Sequence, residues 1–291
     1  MKVKVTKKPK NTLEINIIVP VQKVKESYAE VMKDEVAKAD LPGFRKGQAP
    51  LNLVEEKLNT SDLYGEVVNK VLQTYYPQAL KENKIEPISN PKVEIKEFDL
   101  EKDFEFTATV ATKPEIKIKE FRKDLKKAFE KKQKEHSEHD HETHLAAAEV
   151  IDIILEKTDL EVPEILVEEE IERMLVTLID QAQVLGMSME DFLKAQNKTT
   201  EQLRDEYKEG SEKSIKAEFA LQHLIAEEKI QVTDQELEEA IAAVGDASVQ
   251  EQMQTPMQKW YIRSVLAKNK LINELMEEAE IDAKTAKKEK K

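Results

Sequence analysis

The chain has 291 residues, a formal net charge of −13, 36% charged and 5% aromatic residues, only 6 Gly and no Cys. The lack of Cys excludes a disulfide scaffold and a thiolate nucleophile. No stretch approaches the ~20 apolar residues of a membrane helix, and the start MKVKVTKKPK lacks the apolar run of a signal peptide. A cytoplasmic protein of about two domains, built on long solvated helices rather than a sandwich or barrel, is the expectation.

Short β-rich runs open the chain at 2–6 (KVKVT) and 13–19 (LEINIIV), and two more alternate apolar with polar residues at 92–98 (KVEIKEF) and 104–110 (FEFTATV), the period-two signature of half-buried strands. Between these pairs the period lengthens. From Pro20 the apolar residues Val21, Val24, Tyr28, Val31 and Met32 fall on one helical stripe. Residues 41–50 (LPGFRKGQAP) cannot be helix, since two prolines and two glycines punctuate them. A short helix with Leu51, Val54 and Leu58 follows, then a longer one capped by Thr60 or Ser61 and carrying Leu63, Val67, Val71 and Leu72. Pro77 is expected to kink or interrupt it. Strands, helices, then strands read as an α+β domain over residues 1–112, an antiparallel sheet with helices on one face.

Residues 113–120 look like an extended linker, and no strand pattern is convincing beyond them. Residues 121–158 read as one long charged helix. The remainder to 282 reads as an elongated all-α domain, and 283–291 as a Lys-rich disordered tail. Two similar units, Val162-Pro163 and Val232-Thr233 each leading into a helix, suggest two arms. Thr233 with Glu236, Ser188 with Asp191, and Thr199 with Gln202 supply further helix starts. Charge divides along the same line: residues 1–119 carry 21 Lys and Arg against 19 Asp and Glu, residues 120–291 carry 25 against 40. The acidic part should avoid nucleic acid; contact with RNA falls to the first part.

His136, His139, His141 and His144 lie within nine residues. At i, i+3 spacing they could share a metal ion, or simply belong to a solvated helix surface; four ligands along one strip are a poor structural site, and no metal or cofactor is expected. No phosphate loop, dinucleotide fingerprint, zinc-protease or nucleophile-elbow motif occurs, so no enzyme is read here, and His223 is a packing or surface residue. The second part is rich in Met and Leu. Met174, Leu178, Leu185, Met187, Met253 and Met257 are either ordinary core or an adaptable surface for unfolded partners, since Met is flexible and polarizable.

The loop 41–50 places Phe44, Arg45 and Lys46 between glycines. Arg and Lys can bind phosphate or carboxylate, and Phe44 can anchor an interface or turn into its own core. Gly43-Phe44-Arg45-Lys46-Gly47 through Pro50, set between an amphipathic helix and a short helix beginning Leu51-Asn52-Leu53, resembles the ribosome-docking signature of trigger factor, the bacterial chaperone bound beside the nascent-chain exit tunnel. Gln48 stands where the family pattern usually has Lys. The order of elements over 1–110 is similar to the family's N-terminal domain, and the helix starts at 162–163 and 232–233 to its two-armed C-terminal domain. The FKBP-type prolyl isomerase domain that normally separates them has no room here, because residues 113–119 run directly into the helix at 121.

The resemblance implies an ATP-independent holdase. Gly43, Phe44, Arg45, Lys46, Gly47 and Pro50 would dock on ribosomal protein and rRNA, and the helical part would receive nascent or unfolded chains, with dimerisation possible when free. A free cytosolic assembly chaperone or interaction scaffold is the alternative.

Overall fold

The computed structural model describes residues 1–135, 145–195 and 198–289, the last eight by backbone alone. Two compact units result: residues 1–114 with 163–169, and residues 115–162 with 170–291.

In the first unit, β1 (Lys2–Lys8) and β2 (Thr12–Val19) form a hairpin. Its connection takes left-handed φ of 54° at Lys10 and 53° at Asn11, which suits the twist of paired strands. After α1 (Val21–Lys38), α2 (Leu51–Glu55) and α3 (Thr60–Glu82), the chain returns as β3 (Lys92–Ile95) and β4 (Phe104–Ala111). The sheet is antiparallel in the order β1-β2-β4-β3. Its register sets Leu13, Ile15, Ile17 and Val19 opposite Val110, Ala108, Phe106 and Phe104, so one apolar face forms. That face joins Val24, Met32, Val67 and Val71 in one core, where Ile15, Ile17, Phe104 and Phe106 are fully buried. Phe98 meets Phe104 and Tyr64 edge to face, at 5.3 and 5.4 Å between centroids.

Two local expectations change. Asn59, not Thr60 or Ser61, caps α3, its side chain accepting from the Ser61 amide at 3.0 Å; Asn is as good a cap and stands one residue earlier. Pro77 lies inside α3 without ending it, because Val71 and Ala79 on either side are held in the core and tertiary packing outweighs the lost hydrogen bond.

In the second unit the predicted helix 121–158 is two. α4 (Arg122–Glu135) and α5 (Ala147–Lys157) are separate, and Ala146 is extended with its N–H donated to the Glu149 carboxylate at 2.6 Å. That contact satisfies an orphan donor and starts a new helix. The linker also does more than span: β5 (Lys117–Ile118) pairs antiparallel with β6 (Thr158–Asp159), strands too short for periodicity to reveal. Then come α6 (Glu164–Val184), α7 (Met189–Ala195), α8 (Thr200–Glu227), α9 (Asp234–Ala242), α10 (Ala247–Met253) and α11 (Pro256–Glu289). α11 continues to Glu289, into the tail expected to be disordered; Ala, Lys and Glu are strong helix formers, and neither Gly nor Pro interrupts them.

Phe121, Leu125, Phe129, Val150, Ile154, Leu221, Leu224 and Leu271 share a second core, and α11 packs on α4, α5, α8, α9 and α10. A smaller cluster of Leu178, Leu193 and Leu203 closes the hairpin of α6, α7 and α8. The starts read from sequence form as expected. Ser188 accepts from the Asp191 amide at 3.2 Å, and Thr199 with Gln202 and Thr233 with Glu236 are reciprocal capping boxes.

Glu236 also meets Lys270 at 2.8 Å. That ammonium first, then the Thr233 N–H and hydroxyl, holds its carboxyl at about 2, below the ordinary 4.5. The folded value is the depressed one, so its stabilisation is complete above pH 4.5 and lost as pH falls towards 2. In thermal unfolding followed by circular dichroism, Glu236→Gln should flatten the loss of stability across that window relative to the parent chain.

Candidate docking loop and apolar helical surfaces

The loop after α1 is held at its neck. The helix ends at Ala39, whose carbonyl accepts the Gly47 N–H at 3.0 Å, while Phe44 N–H reaches Leu41 O at 3.1 Å and Gln48 N–H reaches Arg45 O at 2.9 Å. Gly43 and Gly47 take φ of +90° and +76°, values that L side chains adopt only with strain. Gly47 has a second reason to be glycine: a Cβ there would stand 3.0 Å from the Ala37 carbonyl oxygen, whereas one on Gly43 would meet open space. Pro50, with φ −58°, starts α2, and Ala49 and Val54 are buried beneath.

Between these fixed points the three predicted contact residues point outward. Phe44 is 40% exposed, so the reading that turns it into its own core is set aside. Arg45 and Lys46 are exposed, with no carboxylate within ion-pair distance among the described residues. Leu51 and Leu53 of α2, which the motif did not flag as contacts, are also exposed, at 48% and 36%. Gly43, Phe44, Arg45, Lys46 and Gly47 thus lie in the turn closed at Ala39, and Pro50 follows it at the start of α2.

The six residues singled out in the helical part do not behave alike. Leu178 is buried in the α6–α8 hairpin core, where its helical period serves packing. Met174 is half-buried, its sulfur 3.6 Å from the Ser211 hydroxyl, and Met187 and Met253 are likewise half-buried. Leu185 and Met257 are open, at 66% and 78%. Val176, Val184, Trp260 and Tyr261 were missed and are also exposed. The sequence did hold a signal for one of them: Trp260 is the chain's sole Trp, in a polar helix. It edges a cavity of about 550 Å³ lined by Ile225, Ile230, Val232 and Ala267 with the amides of Gln222 and Gln231.

Among the described residues no group of three or more His, Asp or Glu is arranged to hold a metal ion; the tract His136–His144 lies outside them. His223 sits on the α8 surface, 3.8 Å from Glu227. No described helix is long and apolar enough to cross a membrane.

The α+β unit carries an exposed loop of two cations and a ring, and the helical unit carries open apolar side chains, features suited to binding other macromolecules. The chain belongs to the bacterial trigger factor family: the family model described as "Bacterial trigger factor protein (TF)" matches residues 1–148, and that described as "Bacterial trigger factor protein (TF) C-terminus" matches 117–283. The two ranges overlap, so no further domain separates them. The trigger factors of Clostridium botulinum (strain Hall) and Clostridium kluyveri (strain NBRC 12016) are each 34% identical over 122 residues, 42% of this chain and 28% of theirs. The chain's match thus spans under a third of these relatives' length. A solved structure from work on "Promiscuous Substrate Recognition in Folding and Assembly Activities of the Trigger Factor Chaperone" has a similar fold, with a TM-score of 0.64 and 14% identity over 96% of this chain and all of that one.

Substituting the two loop glycines should separate strain from collision. Gly43→Ala adds only the left-handed penalty, about 1 kcal/mol, while Gly47→Ala adds the clash with Ala37 and should open the loop further. Amide exchange at Gln48 measures the difference.

Proposed function

We propose that this chain is an ATP-independent chaperone that docks on the ribosome at the tunnel exit and holds emerging, unfolded chains. The observation that carries the docking half is the loop itself. Phe44, Arg45 and Lys46 are presented outward from a turn closed by the Gly47–Ala39 hydrogen bond, and among the described residues no carboxylate pairs with the two cations to compete with a partner. Arg45 binds phosphate or carboxylate with two parallel hydrogen bonds, Lys46 as a point charge. Phe44, with Leu51 and Leu53 of α2, supplies the apolar anchor. Gln48 leaves the loop one cation short of the family pattern. The acidic second part is repelled by rRNA, so the near-neutral first part makes the contact.

The holding half rests on Val184 and Leu185 at and just beyond the end of α6, and on Met257, Trp260 and Tyr261 on α11, all of which lie open. Separate apolar contacts of this kind bind any unfolded segment weakly, and each is released on its own. Binding the unfolded state opposes folding until release. The solved relative's "promiscuous substrate recognition" is consistent with such a surface. Family membership, together with these two surfaces, supports the chaperone reading.

Two variants test the halves separately. Phe44→Ala/Arg45→Ala/Lys46→Ala should abolish cosedimentation with ribosomes yet still suppress aggregation of a denatured protein. Met257→Gln/Trp260→Gln/Tyr261→Gln should cosediment normally and suppress aggregation poorly. Undiminished cosedimentation of the first variant would sink the docking claim, and undiminished suppression by the second the surface assignment.

A further inference from the structure

α2 has five residues and no side-chain cap on its N-terminus, far below the ~12–15 residues at which an isolated helix becomes even marginally stable. Its conformation is therefore imposed by what it packs on. Ala49 and Val54 are buried, and Leu58 just beyond packs on the first core. Apolar burial of this kind is not directional: it keeps α2 down without setting its rotation or its slide along α1. One polar contact between the two helices does. The Tyr28 hydroxyl on α1 donates to Glu55 Oε1 on α2, and hydrogen bonds to ionised carboxylates are both strong and directional.

The docking side chains hang between these helices. The loop leaves α1 at Ala39 and re-enters helix at Pro50. The Gly47 N–H to Ala39 O bond closes the turn that carries these side chains against the end of α1, and only Gln48–Pro50 join that turn to α2, so a shift of α2 pulls directly on the closing bond. We propose that Tyr28 is a positioning residue for docking: its hydrogen bond to Glu55 latches α2 to α1 and so holds Phe44, Arg45 and Lys46 in the geometry that meets the ribosome. Tyr28 lies more than ten residues before the loop and belongs to no docking motif. Partial burial first, and then the bond to Glu55, pushes its hydroxyl up to about 12, so the donor keeps its proton at neutral pH. The latch rests on the docking reading above only for its consequence, not for its existence.

Tyr28→Phe in the full chain keeps the ring and removes only the hydroxyl. The expected result is a rise of about tenfold in amide exchange at Gly47 and Gln48 and a similar gain in the rate of dissociation from ribosomes. The global melting temperature should hardly move, and the salt dependence of binding should keep its slope, because both cations remain. Glu55→Gln in the parent chain, whose amide oxygen still accepts from the Tyr28 hydroxyl, should leave both readouts near the parent values. Glu55→Ala should reproduce Tyr28→Phe, and the double variant should be no worse than either single one. Unchanged exchange at Gly47 and Gln48 in Tyr28→Phe overturns the latch. Faster exchange with unaltered ribosome dissociation, while the triple-alanine loop variant fails to bind, overturns its part in docking. Normal binding by that triple variant instead removes the docking reading itself, and the exchange measurement then decides the latch alone.

Discussion

The contact between the inner face of the sheet and helices α1 and α3 decides where everything else in the first unit can go. Ile15, Ile17, Phe104 and Phe106 on the strands and Val24, Met32, Val67 and Val71 on the helices lose all or nearly all exposure. Each large side chain so buried contributes on the order of 1.5–3 kcal/mol. Because Val24 and Met32 are both pinned, α1 has neither rotational nor axial freedom, and its C-terminal end is delivered to one place. The loop begins there. A loop whose exposed residues have no core role of their own acquires its position from α1 core residues as near as Met32, about two turns of helix before it.

Charge follows a different logic in the two parts. In the helical unit the lysines and arginines are largely spent on local carboxylates: Arg122 with Glu228 and Glu278, Lys259 with Glu238, Arg263 with Asp234, Lys270 with Glu236. Exposed pairs like these contribute little each, but they leave the net acidity to act at longer range. Arg45 and Lys46 stand outside that pattern. Cations unclaimed at home cost nothing to desolvate from an internal partner when an external anion arrives, which is the condition for fast, salt-sensitive association.

How much of this was legible beforehand depended on the length scale of the signal. The sheet was readable because β1 and β2 are β-rich runs and period two survives in β3 and β4. The loop was readable because Pro and Gly exclude helix, and the helix starts at Ser188, Thr199 and Thr233 because their spacing is local. The β5–β6 pair was not, since two-residue strands have no period. The break between α4 and α5 was hidden by charged residues compatible with continuing a helix, and was set instead by one carboxylate on the Ala146 amide. Leu178 and Leu185 were indistinguishable in sequence, both leucines in one apolar run; in the structure α6 ends at Val184, so Leu178 packs with α7 and α8 while Leu185 lies open in the turn beyond. Tyr28 was legible as a stripe residue, while its hydroxyl's destination on α2 depended on a tertiary approach that no spacing encodes.

The 34-residue α11 has a consequence in time as well as space. It lies later in the chain than every helix it packs on, and the second core is incomplete without Leu271, Ile272 and Leu275. During synthesis, α4, α5 and α8 leave the ribosome with their inner faces uncovered and must wait for the last helix. Contacts so distant in sequence form slowly and expose apolar surface meanwhile. The helical unit is therefore, for part of its own biogenesis, an unfolded chain of the very kind we propose that its finished surface holds.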